Sequence, residues 1–123
     1  MSASFTFAVI ADSHFQLPGA TEQSAYDSDA HHNARNNYVV STINRSSAVF
    51  TIHGGDVPHP VPGLAAHLTA LDIAAETYGK LTHPIYVVPG NHDVGDKPNA
   101  WKVASGADDA KHAVFERYWG PSW

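Results

Sequence analysis

Three short clusters in this chain combine metal-ligand and acid–base side chains: Asp12-Ser13-His14, Gly54-Gly55-Asp56 and Gly90-Asn91-His92-Asp93. Asp12 and His14 are two residues apart, a spacing that points both side chains to one side of an extended segment. A carboxylate and an imidazole so placed can share a divalent ion. Asp56 adds a second carboxylate, whose two oxygens could bridge two ions, and Asn91 offers a neutral carbonyl oxygen. Mixed nitrogen and oxygen ligation suits Zn, Mn, Fe or Co better than Mg or Ca. Two such ions about 3.5–4 Å apart clamp phosphoryl oxygens and acidify a bridging water, which is a device for phosphate ester hydrolysis. His92, beside Asn91, could donate a proton to a leaving group or stabilise charge on the phosphoryl oxygens. Gly54, Gly55 and Gly90 let the backbone come near the ions with no Cβ in the way.

Each cluster follows an apolar run. Phe5–Ala11 is nearly all apolar and β-prone, Ala48–His53 is similar, and Ile85–Val88 leads into the last cluster. Unbroken apolar runs of this length fit strands of a parallel sheet. Between them, Asp29 is placed to cap a helix over 30–44, with a partial stripe from Val39 and Ile43. Leu64–Tyr78 carries Leu64, Leu68, Leu71, Ala75 and Tyr78 at spacings of three and four, so a helix presents them on one face. Gly79 is placed to end it. Phe15–Asp29, the proline-rich Val57–Gly63 and the segment 94–106 read as loops. Asp108 and Asp109 suit the start of a last helix that includes Val114, Phe115 and Tyr118.

The order is therefore strand, helix, strand, helix, strand, helix. That predicts an α/β fold, a mostly parallel sheet with flanking helices, in a single domain over 1–123. Ligands bind beyond the carboxyl ends of the strands in such sheets. All three clusters sit at those ends, so topology alone converges them on one edge.

Taken singly, each signal is ordinary. An Asp after a strand usually caps a turn, and Gly-Gly marks a turn. The force lies in three clusters, each after a predicted strand. The remaining histidines are expected elsewhere: His31 and His32 on a solvated helix start, His67 on an exposed helix face, His83 in a turn, His112 on the last helix. His53 and His59 flank the second cluster and are candidates to line the site. Phe115, Tyr118 and Trp119 read as core or interface.

Composition sets bounds. The chain has 123 residues, 43% of them hydrophobic, and a formal net charge of −5. The core is sufficient for one domain, and the acidic balance argues against a general nucleic-acid binder. No cysteine is present, which excludes disulfides and thiolate metal sites, whereas nine histidines are many for this length. No apolar run approaches the roughly 20 residues that span a bilayer. A cytoplasmic protein is expected, with no membrane partner.

The three clusters resemble the first three blocks of the calcineurin-like metallophosphoesterase superfamily. The surroundings, including His59-Pro60-Val61-Pro62 and Gly95-Asp96-Lys97-Pro98, look most like its bacterial cyclic-nucleotide phosphodiesterase-like branch. The resemblance implies hydrolysis of a phosphate mono- or diester with Mn, Fe or Zn. It implies Asp12 and His14 on a first metal, Asp56 bridging, Asn91 on a second, His92 as catalytic histidine and Asp93 orienting it from behind. Members continue with an isolated His and a Gly-His-x-His block that do not follow here. The chain thus resembles the first half of an αββα sandwich, with its second metal site incomplete and open to completion by His59 or a partner chain. Such a half would leave an apolar sheet face uncovered, so a homo-oligomer is expected. Two other readings compete: a metal-binding protein without turnover, and, more distantly, a receiver-like signalling domain. The latter wants an acidic pair after the first strand, which Asp12-Ser13-His14 lacks.

Overall fold

The computed structural model describes residues 4–19, 30–95 and 106–121. Strands β1 (Thr6–Ile10), β2 (Ala48–His53) and β3 (Ile85–Val87) form a parallel sheet in the order β1-β2-β3. Helices α1 (His32–Asn44) and α2 (Ala66–Tyr78) connect them; a single turn, α3 (Asn91–Val94), and α4 (Asp109–Trp119) follow β3. This is the expected α/β order, with α3 added inside the third cluster. The expected cap Asp29 lies outside the described residues.

The sheet has two unlike faces. Thr51 and His53 of β2 point to the helices and are fully buried. There Phe15, Val40, Val57, Ala74 and Tyr78 make the core, with Ile10, Ile85, Val87 and Trp119 packed against it. Phe115 is also buried. On the opposite face Val9, Ile52 and Tyr86 lie side by side in register. Phe7 stacks on Phe50 with centroids 5.1 Å apart. Phe5, Val9, Tyr86 and Val88 are each more than half exposed. Strands that are apolar on both sides are thus covered on one side only among the described residues.

The buried stripe of α2 differs from the expected one. His67, Ala70, Leu71, Ala74, Thr77 and Tyr78 face inward, whereas Leu68 is 48% exposed. Leu71 and Tyr78 belong to both stripes; the rest are rotated because the proline-rich loop wraps over the start of the helix. There Pro60 offers its carbonyl to Nδ1 of His67 at 2.7 Å. His67 is therefore a buried helix anchor and not an exposed residue. Helix α1 is similarly displaced: Asn36, Val40 and Ile43 are buried. Its asparagines, weak helix formers, are tethers. Asn36 donates to the Ser13 carbonyl, and Asn33 both accepts from the Gln16 N–H and donates to its carbonyl. They lock α1 to the loop that carries Asp12 and His14.

Candidate metal centre

Past the strand ends, backbone pairing between the β1 and β2 loops continues. Asp12 N–H donates to the Gly55 carbonyl (3.0 Å), His14 N–H to that of Asp56 (3.1 Å), and Phe15 N–H to that of Val57 (2.8 Å). His59 N–H returns a bond to Phe15. This ladder is what sets the first two clusters against each other. It holds Asp12, His14 and Asp56 at φ of 53°, 45° and 57°. Left-handed backbone is uncommon for residues with a Cβ and costs on the order of 1 kcal/mol each.

The third cluster is fixed to the second by close backbone approach. A Cβ on Gly55, where φ is +97°, would lie 2.5 Å from the Gly90 nitrogen; one on Gly90 would lie 2.3 Å from Asp56 Oδ1. Only glycine fits at either place. The buried carboxylate of Asp93 completes the joint. Its Oδ2 accepts from the backbone N–H groups of Asp56 (2.7 Å) and Gly90 (2.8 Å), and its Oδ1 from that of Val57 (3.2 Å). Burial outweighs these three bonds and pushes its pKa up to about 6.

Ligand atoms of Asp12, His14 and Asp56 lie within 4.8 Å of one another. Asp12 is exposed, and His14 and Asp56 are half-buried. His14 Nε2 is 3.8 Å from Asp12 Oδ1. Burial, helped by the nearby His92, lowers the His14 pKa. The imidazole is thereby kept neutral, the form that donates a lone pair to a cation. Two carboxylates and one imidazole fit a borderline divalent ion such as Zn, Mn or Fe.

Asp56 Oδ1 also accepts the N–H of His92 at 2.9 Å, so the start of α3 is held beside this group. Asn91, half-buried, is the first residue of that turn. The His92 ring lies 4.7 Å from that of His14, nearly perpendicular to it. His92 Nδ1 meets the His59 carbonyl, while Asp93 accepts from the backbone N–H groups of Asp56, Val57 and Gly90.

Two histidines enter the site beyond the three clusters. The His59 ring is 5.4 Å from that of His14 and 5.6 Å from that of His92. His32, expected at a solvated helix start, turns inward, with Nδ1 3.0 Å from the His14 carbonyl and its ring 6.4 Å from that of His59. No sequence signal separated His32 from His31; only the docking of α1 does. His53 does not line the centre but lies beneath it. Its Nε2 meets Ser13 Oγ, and its Nδ1 accepts from the Gly55 N–H at 3.0 Å.

The calcineurin-like phosphoesterase model matches residues 5–121. This chain belongs to the calcineurin-like phosphoesterase family. No curated protein matches it. For this phosphoesterase-family chain the receiver-like reading falls away, since the family match spans residues 5–121. No helix among the described residues is long and apolar enough to cross a membrane.

Proposed function

We propose that this chain hydrolyses a phosphate mono- or diester with water activated at divalent metal. The observation that carries the reading is the convergence of Asp12, His14 and Asp56 from two loops onto one point within 4.8 Å. In this reading Asp12, His14 and Asp56 would hold a divalent ion, and Asn91, with His59 and His32 alongside, would contribute to a second. A bound Mn, Fe or Zn supplies a low-pKa water and neutralises phosphoryl charge. His92, whose Nδ1 meets the His59 carbonyl, is the residue that would pass a proton to the leaving oxygen. Asp93 supports both by fixing the Asp56 and Gly90 backbones. The wording around the motifs favours a diester.

Metal analysis of protein purified without chelator, with hydrolysis of bis-p-nitrophenyl phosphate in added Mn, tests this. The reading expects at least one retained ion and turnover that Asp56→Asn abolishes. A retained ion with no turnover of any ester would favour the non-catalytic metal-binding reading; no retained ion would refute both. We also propose that two copies associate through the aromatic face of Phe7, Phe50 and Tyr86, since a patch of this kind favours association. Light scattering showing a clean monomer would count against it.

A further inference from the structure

We infer that the apolar cleft between α2 and α4 receives an uncharged organic arm of the phosphate ester, so that the substrate is an ester of an apolar alcohol. The inference rests on the phosphoesterase reading and names the substrate class for that site. The cleft encloses about 530 Å³, within the range of small-molecule sites. Pro62, Leu64, Leu68 and Val114 give it apolar walls, with His67 among its lining residues. Its one cationic lining side chain is already engaged: Lys111 Nζ donates to the Gly106 carbonyl at 2.6 Å and pairs with Asp108 at 3.0 Å. A second phosphate or a carboxylate on the ligand would find no uncommitted positive charge among these residues. An aryl or alkyl group would be desolvated without loss. The cleft also accounts for Leu68, an apolar residue that the core stripe of α2 leaves out.

Two chain connections link the cleft to the metal centre. On one side, the loop His59–Pro62 runs from centre to cleft wall, and three residues span at most about 10 Å. The His59 carbonyl holds the His92 ring and the Pro60 carbonyl holds the His67 ring. One short loop therefore positions an imidazole on each side. On the other, α3, which contains His92, packs against α4, which contains Val114. The His67 pKa is lowered mainly by burial, with a contribution from His92, in keeping with that proximity.

Two titrations separate this inference from the reading beneath it. Benzyl alcohol added to metal-free protein should shift the amide NMR signals of Leu64, Leu68 and Val114. Phenylphosphonate should bind the Zn-loaded protein at least about tenfold tighter than methylphosphonate, as burial of a phenyl group implies. Val114→Trp, which fills the cleft, should bring that ratio toward one while Zn content is unchanged. Equal binding of the two phosphonates, a ratio that survives Val114→Trp, or a cleft unmoved by benzyl alcohol would each overturn the inference with the phosphoesterase reading intact. If neither phosphonate binds although benzyl alcohol shifts the cleft signals, it is the phosphoesterase reading that fails, and the cleft's preference for apolar groups stands.

Discussion

Lowering the pH of metal-free protein from 7.5 to 4.5 probes a part of the site that holds no metal ligand. His53 is fully buried at the end of β2. A backbone N–H can only donate, so the Gly55 contact makes His53 Nδ1 an acceptor and places the single ring proton on Nε2, toward Ser13 Oγ. Tyr78 donates its hydroxyl to the same oxygen at 2.9 Å, tying α2 into the joint. Protonating Nδ1 would set two N–H groups against each other, and burial already disfavours the cation. Burial lowers the His53 pKa from 6.5 to about 4. A depressed folded pKa gives stability that is complete above 6.5 and is lost as pH falls toward and through 4. Linkage puts the loss at about 2.5 kcal/mol by pH 4.5, within a limit of about 3.4 kcal/mol. Urea unfolding of wild type and His53→Gln across this window isolates the effect, because other acidic titrations are common to both. The gap between the two should close by about 2.5 kcal/mol on acidification. Parallel profiles, or an imidazole ¹⁵N titration near 6.5 in the folded protein, would refute the reasoning.

Other changes have equally direct readouts. Asp93→Asn turns one acceptor into a donor facing backbone N–H groups and should cost about 2–3 kcal/mol in chemical unfolding, with weaker metal retention because Asp56 is released. Gly90→Ala meets no φ barrier but drives a Cβ into Asp56 Oδ1; calorimetric titration with Zn should show affinity lost by tenfold or more, and unchanged affinity would count against the close joint. If the aromatic face is an interface, Tyr86→Lys should shift sedimentation toward monomer without loss of secondary structure in circular dichroism.

The three clusters were legible because strand-end chemistry depends on local order: an apolar run, a stop, then a ligand. β2 was read to the residue; β1 differs by one residue at each end and β3 by one at its C-terminal end. What the sequence hid was tertiary. His67 looked exposed by helical phase, and only the Pro60 carbonyl makes it an anchor. Asn33 and Asn36 looked like poor helix residues because their partners, Gln16 and Ser13, lie 17 and 23 residues away. His32 and His59 carry no motif of their own, so their place beside His14 follows from loop docking. The short helix α3 was missed because Gly90-Asn91 signals a turn; the Asp93 carboxylate takes the N–H of Gly90 just before it, and Asp56 takes that of His92 within it.

The left-handed backbone at Asp12, His14 and Asp56 bears on how this site could decay or be re-engineered. Glycine, and more modestly asparagine, adopts that conformation more readily than aspartate or histidine does. Replacements that abolish metal binding at these positions can therefore raise the melting temperature of the metal-free protein. A lineage or a screen selecting for stability alone would drift away from the ligands first, and retention of all three is then a signature of selection for binding.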